Sequence, residues 1–293
     1  MPRPTASSQT PKASVVMEAA AASLAAAGIE SAQLDAQLLL AAATHVDRAA
    51  LLSGSVDLSP QTLAQFAPMM ARRTAREPVA YILGRREFYS LDFEVNREVL
   101  IPRPHTETVV DVALEFIADH PRARVLDLGT GSGAIAVALA VNAAEVSVVA
   151  SDIWRPALAL ARRNAVSIKV AERIGFVAAD LFERLDAGPP LGKFDLVISN
   201  PPYIVDDQVA RLEAEVRNFE PLVALRGGPD GLDFFRRIAV GVKSHLERGS
   251  LLVLEVGAGQ DSAVAAILAA AGMHPAAVIK DLDGIARVVT ARP

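Results

Sequence analysis

The sequence predicts an α/β chain, a doubly wound, mostly parallel sheet preceded by a small all-α unit and a β-hairpin linker. Three observations carry this. From Ala123 onward, short apolar runs alternate with segments of helical period, the order that builds a parallel sheet with right-handed crossovers. Before Pro78 the apolar residues recur at helical spacing only. Between the two, Glu87-Phe-Tyr-Ser-Leu-Asp-Phe-Glu-Val alternates apolar and polar residues as a hairpin does.

Residues 1–78 are expected to form the helical unit, with 1–13 a disordered tail that lacks an apolar signal core. Ser14 to Ala27 is rich in alanine and ends at Gly28, a suitable C-cap. Ser31 to Ala43 follows, with Leu34 and Leu38 on one stripe. A third helix starts at Ser59-Pro60, a cap followed by proline at the first helical position, and runs through Phe66 and Met70. Residues 79–103 read as hairpin and linker, with Tyr81-Ile-Leu in the alternating stretch. Residues 104–293 read as the sheet domain, beginning with a helix from about Thr106 to Asp119. Its strands are Val125–Leu128, Val146–Ala150, Phe176–Ala178, Phe194–Ser199, Ser250–Val256, Ala276–Lys280 and Ala286–Thr290. Helices Gly133–Val141, Pro156–Val166, Leu232–Leu246 and Ser262–Ala271 separate them.

Composition excludes several classes. No apolar run reaches the roughly 20 residues a membrane-spanning helix needs. Without cysteine there is neither a disulfide framework nor a thiolate metal site, and five histidines without ligand spacing argue against zinc. No metal is expected, and a soluble cytoplasmic monomer is the simple reading. The net charge of −5 weighs against a nucleic-acid partner, which usually requires a basic face. Arg72, Arg73, Arg76, Arg85 and Arg86 form the one basic cluster, read as a solvated helix end and turn.

Two segments carry chemistry. Gly129-Thr130-Gly131-Ser132-Gly133 follows a strand and opens a helix, where the chain must turn sharply and let its backbone approach a ligand. The next strand ends in Asp152, placed to accept from both hydroxyls of a ribose. Spacing alone also fits a loose dinucleotide fingerprint, so nicotinamide enzymes stay open at this point. The tight Gly-x-Gly-x-Gly form resembles the first motif of class I methyltransferases, and Asp180 falls where that class contacts the adenine amino group.

The second segment is Asn200-Pro201-Pro202-Tyr203, delivered by the strand Phe194–Ser199. An amide nitrogen is a poor nucleophile because its lone pair is delocalised. The Asn200 side-chain oxygen and the Pro201 carbonyl could accept its two N–H bonds, turning the nitrogen and favouring charge developing on it. The prolines stiffen the loop, and Tyr203 offers a flat face to a planar group.

Taken together, these segments resemble the HemK-type protein-(glutamine-N5) methyltransferases, which modify the Gly-Gly-Gln glutamine of class I peptide chain release factors. The resemblance covers nearly the whole chain. It is carried by Arg86-Glu-Phe-Tyr-Ser-Leu-Asp-Phe, Leu100-Ile-Pro-Arg-Pro-x-Thr-Glu107, Asp127-Leu-Gly-Thr-Gly-Ser-Gly133 and Ser199-Asn-Pro-Pro-Tyr-Ile204. Asn218-Phe-Glu-Pro-Leu, Leu254-Glu-x-Gly257 with Gln260, and Asp281-x-x-Gly284 with Arg287 add to it. It implies a class I, Rossmann-like methyltransferase domain with an antiparallel last strand. It also implies S-adenosyl-L-methionine as methyl donor and class I release factors as protein substrate. By the same resemblance Gly129 to Gly133, Asp152, Asp180, Leu181 and Asn200 line the cofactor site. Asn200, Pro201, Pro202 and Tyr203 hold the glutamine, with Asn200, Pro201 and Tyr203 as catalytic residues. Two positions depart from the family: His105 stands where an acidic residue is usual, and Leu181 where an aromatic is frequent. Other readings are a glutamine of a ribosomal protein, an amino group of DNA, or a nicotinamide or nucleotide-binding module that makes no use of Asn-Pro-Pro-Tyr.

Overall fold

Residues 11–53, 56–183 and 192–293 are described by the computed structural model. Most of the tail expected over 1–13 lies outside them; Lys12 bridges to Asp57, and Ala13 opens the first helix. The chain divides into two units, 1–84 with 214–219, and 85–213 with 220–293.

The first unit contains α1 (Ala13–Ala26), α2 (Ala32–Thr44), α3 (Arg48–Leu52), α4 (Pro60–Thr74) and α5 (Val79–Leu83), together with the helical turn Ala214–Phe219. Leu24, Leu39, Leu40, Leu51 and Leu58 are its buried centre. The helix α4 starts as its sequence demands: the Ser59 hydroxyl accepts from Thr62 N–H at 3.1 Å, and Pro60 follows. Asp47 caps α3 likewise, a helix too short to show in the periodicity. Tyr81-Ile-Leu, expected to alternate as strand, lies in α5. Pro78 sets the start of that turn and Gly84, at φ 72°, ends it.

The arginine cluster is a solvated face only in part: Arg72 and Arg85 are exposed, and Arg73 is not. Arg73 is buried, bonded through Nε to Asp35 at 2.7 Å and through Nη2 to Glu215 at 2.9 Å. Arg76 reaches the other Glu215 oxygen at 2.7 Å, and Arg72 pairs with Glu77 at 2.8 Å. The charge run misleads at Arg73 because the buried Asp35, 38 positions away, neutralises its guanidinium group.

In the second unit a two-stranded hairpin, β1 (Arg85–Phe88) with β2 (Leu91–Glu94), precedes the main sheet. That sheet has seven strands: β3 (Arg124–Leu128), β4 (Ser147–Asp152), β5 (Ile174–Ala178), β6 (Phe194–Ser199), β7 (Leu246–Glu255), β8 (His274–Lys280) and β9 (Ala286–Arg292). Their order is β5-β4-β3-β6-β7-β9-β8, all parallel from β5 to β7, with the last strand β9 antiparallel to both neighbours. The helices α6 (Glu107–Asp119), α7 (Ala134–Asn142) and α8 (Arg155–Ser167) cover the sheet, as do Asp233–Val242 and Asp261–Ala270. β3 and β6 are buried almost throughout, and α7 is apolar on all sides because it is enclosed. The helix expected to reach Leu246 stops at Val242; β7 begins at Leu246, earlier than its apolar run from Ser250.

Truncating Arg73 would leave the Asp35 carboxylate buried with only the Ser31 hydroxyl beside it. Arg73→Ala is therefore expected to destabilise the helical unit by about 3–5 kcal/mol. Urea unfolding of the full chain reads this as a lowered midpoint; an unchanged midpoint would refute the coupling.

Candidate functional site

Three loops meet because of strand register. Leu128 pairs with Ser151 on β4 and with Ser199 on β6. The residues that follow, Gly129, Asp152 and Asn200, therefore leave the sheet side by side at its carboxyl edge, where doubly wound folds bind ligands. The Ser151 carbonyl accepts from both Gly129 and Thr130 N–H at 2.9 Å, and the Ser199 hydroxyl donates to the Leu128 carbonyl at 2.8 Å. The glycine turn is tight: Gly129, Gly131 and Gly133 have φ of 71°, 56° and 81°, a region that side chains resist. A Cβ on Gly133 would stand 3.0 Å from the Cβ of Ala161, so that glycine also lets α7 close on α8.

A cavity of about 1040 Å³, including its mouth, opens at this edge. Gly129 to Ser132, Asp152, Asp180, Leu181, Asn200, Pro201 and Pro202 all line it. Apolar walls come from Ile135, Ile153, Leu181 and Val223, a suitable bed for a purine-sized group. Asp152 accepts Gly131 N–H on one oxygen at 2.9 Å and Trp154 N–H on the other at 2.8 Å. Burial raises its carboxyl above the usual range, and these N–H bonds oppose the rise. Trp154 in turn donates its indole N–H to Glu98 at 2.7 Å, tying two loops of the rim.

Beneath the turn lies Asp127, a residue that sequence reasoning placed in the motif but gave no role. It is buried; Oδ2 accepts from the Thr130 hydroxyl at 2.6 Å and Oδ1 has no partner among the described residues. Burial pushes its carboxyl up to about 7, against the Thr130 hydrogen bond, with Asp152 adding to the rise. An orphaned buried oxygen under a glycine turn suits a ligand that brings a cation or donor.

The Asn200–Tyr203 loop is fixed at several points. Ile204 N–H donates to the Leu225 carbonyl at 3.0 Å, and Gly227 N–H to the Ile204 carbonyl at 2.8 Å. Gln260 donates Nε2–H to the Tyr203 carbonyl at 3.1 Å while its oxygen accepts from Gly257 N–H. Gly227 is required by contact, since a Cβ there would stand 2.7 Å from the Tyr203 Cα. The Asn200 side-chain nitrogen donates to Thr106 Oγ1 at 3.3 Å. No hydrogen bond among the described residues occupies the Pro201 carbonyl.

Two expected site residues stand off the cavity wall. Gly133 lies behind the turn, and Tyr203 packs on the sheet core with its hydroxyl 3.4 Å from Glu255 Oε1. Burial first, and the nearby Glu255 carboxylate, hold the Tyr203 hydroxyl well above its ordinary value, so it stays neutral. Asp180 lines the cavity but also pairs with Arg237 at 2.7 Å. His105 places Nε2 at 3.2 Å from Glu255 Oε1. Thr106, Glu98, Trp154 and Glu255 were not singled out from sequence, because their roles come from contacts between distant segments.

A family model described as PrmC N-terminal domain matches residues 16–84, and one described as Methyltransferase small domain matches 106–217. A release factor glutamine methyltransferase from Cereibacter sphaeroides is 44% identical to this chain, covering 96% of it and 98% of the relative. One of the same name from Geobacter sulfurreducens is 43% identical over 92% of each. Among solved structures, the hMettl16 catalytic domain in complex with MAT2A 3'UTR hairpin 6 superposes with a TM-score of 0.55 at 17% identity, covering 76% of this chain and 81% of that one. That likeness shows the methyltransferase fold.

Gly227→Ala is expected to displace the Tyr203 backbone and cut activity at least about 10-fold, as small misplacements of a positioning group do. Wild-type turnover in that variant would show that the loop tolerates the shift. Asp127 gives a pH test. Its carboxyl lies at 3.8 when ordinary and about 7 in the fold, so the penalty for ionising it is absent at low pH, grows between those values and is complete above about 7. The thermal stability of Asp127→Asn should therefore rise relative to wild type as pH goes from 4 to 7, towards that folded value. A difference that stays constant over the range would contradict it.

Proposed function

The chain belongs to the release factor glutamine methyltransferase family, and we propose that it transfers a methyl group from S-adenosyl-L-methionine to the side-chain N5 of the Gly-Gly-Gln glutamine of class I release factors. The observation that carries this reading is the Asn200 loop, with the Pro201 carbonyl open and the Asn200 amide already bonded on its nitrogen side. Two acceptors then face the cavity.

The site suits the methyl donor on its own evidence. The glycine turn brings backbone close, Asp152 holds two carboxylate oxygens at the rim of an apolar bed, and Asp127 keeps an unpartnered oxygen below. By this reading Gly129 to Ser132, Asp152, Asp180, Leu181 and Asn200 hold it, Asp180 and Leu181 at the base. When bound, S-adenosylmethionine supplies an electrophilic methyl carbon on a sulfonium.

The chain's own contribution is to hold and turn the glutamine. Asn200 Oδ1 and the Pro201 carbonyl accept the two N–H bonds, which orients the nitrogen and stabilises positive charge as it is alkylated. The amide proton becomes acidic only after the N–C bond forms, so no base must act before it. Loop stiffness supplies the rest, because acceptors already in place lose little ordering entropy when substrate docks. A glutamate at the same place has no N–H to donate and leaves both acceptors unpaired, at about 1–3 kcal/mol each. We read Tyr203 as a support for the loop through Glu255, in place of the stacking face expected from sequence.

The helical unit of residues 1–78, the hairpin and linker of 79–103 and the methyltransferase domain of 104–293 form one enzyme in this reading. It acts as a monomer in the cytoplasm, where release factors work, and takes no nucleic-acid partner, in keeping with its net charge of −5. Among the described residues no helix is long and apolar enough to cross a membrane.

The test is incubation of the purified chain with a class I release factor and S-adenosylmethionine, followed by peptide mass spectrometry. One methyl on the Gly-Gly-Gln peptide is the expected product, and methylation elsewhere or none would refute the proposal. Asn200→Ala should lower kcat/KM by about 100-fold or more while S-adenosylhomocysteine binding is largely kept. Wild-type turnover in that variant would remove Asn200 from the chemistry.

A further inference from the structure

We propose that Thr106 is a positioning residue for this reaction: its hydroxyl sets which end of the Asn200 amide faces the substrate nitrogen. The inference rests on the reading of Asn200 given above. The oxygen and NH2 ends of an asparagine are nearly alike in shape, so packing alone does not choose between them and a hydrogen bond must. Here Nδ2 donates to Thr106 Oγ1 at 3.3 Å, which leaves Oδ1 as the end open to the cavity that both residues line.

A second observation points the same way. Thr106 occupies the N-cap position of α6, where a threonine hydroxyl ordinarily accepts from the first turn of its own helix. It makes no such bond. The short helix Pro104–Thr106 runs straight into α6, so Thr106 has φ −66° and ψ −19°, helical values that are not those of a typical cap. The hydroxyl is thereby directed away from the helix and towards Asn200.

The turn that carries Thr106 is held firmly by its neighbours. Arg103 bonds the buried Glu220 at 2.6 Å, and Glu107 accepts from Tyr89 N–H at 2.8 Å. His105 sits 3.2 Å from Glu255, whose same oxygen takes the Tyr203 hydroxyl. Thr106 itself is buried, 4% exposed, so water does not compete freely for its oxygen. With the hydroxyl gone, the amide is free to turn over. Nδ2 would then face the cavity as a donor, opposing the glutamine N–H and welcoming a carboxylate.

The experiment compares Thr106→Val, which keeps the shape, with Thr106→Ser, which keeps the hydroxyl. The readouts are release-factor methylation, calorimetry with S-adenosylhomocysteine, and inhibition by Gly-Gly-Gln and Gly-Gly-Glu peptides. In Thr106→Val we expect kcat to fall by about 10-fold or more with cofactor affinity within about twofold. The Glu peptide should gain as an inhibitor relative to the Gln peptide, a change that mere loosening would not produce. Thr106→Ser should restore most of the rate. If Thr106→Val fails to bind cofactor, Thr106→Ala is read in the same way.

Wild-type kcat in a cofactor-binding Thr106→Val, or equal impairment of the serine variant, would overturn the assignment. Orientation is also read without turnover, from the Asn200 side-chain NH2 resonances of 15N-asparagine-labelled protein. They should move in Thr106→Val and stay in Thr106→Ser, and no movement in either would again overturn it. A wild-type chain that binds S-adenosylhomocysteine but methylates no release factor would overturn the substrate reading alone, leaving the orientation to those resonances.

Discussion

Leu128 stands in register with Ser151 on one side and Ser199 on the other, and that alignment decides where the chemistry lies. A shift of one residue in either pairing would turn alternate side chains to the opposite face and separate Asp152 from Asn200. Serine is well chosen at both flanking positions. The buried Ser151 and Ser199 hydroxyls donate to the Asp127 and Leu128 carbonyls, so the ends of three strands are laced by side chains as well as by the ladder. The glycine turn then needs only to bend away sharply, and Gly129, Asp152 and Asn200 are adjacent by construction.

A second tier holds what the register brings together. Segments far apart in sequence meet behind the Asn200 loop: Arg103 with Glu220, Thr106 with Asn200, His105 and Tyr203 with Glu255, and Gln260 with Tyr203. Each contact joins two of the motifs on which the family resemblance rested. The other motifs are the brackets that fix the Asn200 loop. Stiff acceptors matter in a reaction whose nucleophile must be turned before it can attack.

Much of the fold was legible because its signals are local. The alternation of apolar runs and helical segments, the Ser59-Pro60 start and the glycine turn each follow from a few neighbouring residues. What escaped was set by distance. Tyr81–Leu83 had the look of a strand, yet Pro78 and Gly84 closed it into one helical turn. Arg73 reads as surface charge because nothing in the sequence marks Asp35, 38 positions away, as its buried partner. Tyr203 packs, partly buried, against the sheet core, a contact that its neighbours in the motif do not reveal. Thr106 shows no task within its own segment, since its partner Asn200 lies 94 positions further on.

Two buried carboxylates flank this edge, and their placement shows what the fold gives up for the site. Asp127 keeps Oδ1 without a partner under the glycine turn, and Glu255 keeps Oε2 without one behind Tyr203. An unsatisfied buried oxygen destabilises a fold, and evenly packed apolar residues would serve stability better at both positions. The strands between them are nearly continuous runs of valine, leucine and isoleucine, buried on both faces, and that apolar burial offsets the loss. The two carboxylates differ in what completes them. Glu255 accepts the Tyr203 hydroxyl and sits against His105, so it braces the loop. Asp127 accepts the Thr130 hydroxyl and keeps Oδ1 without a side-chain partner beneath the turn. Underlying the turn and bracing the loop are separate tasks, and the chain gives one acid to each.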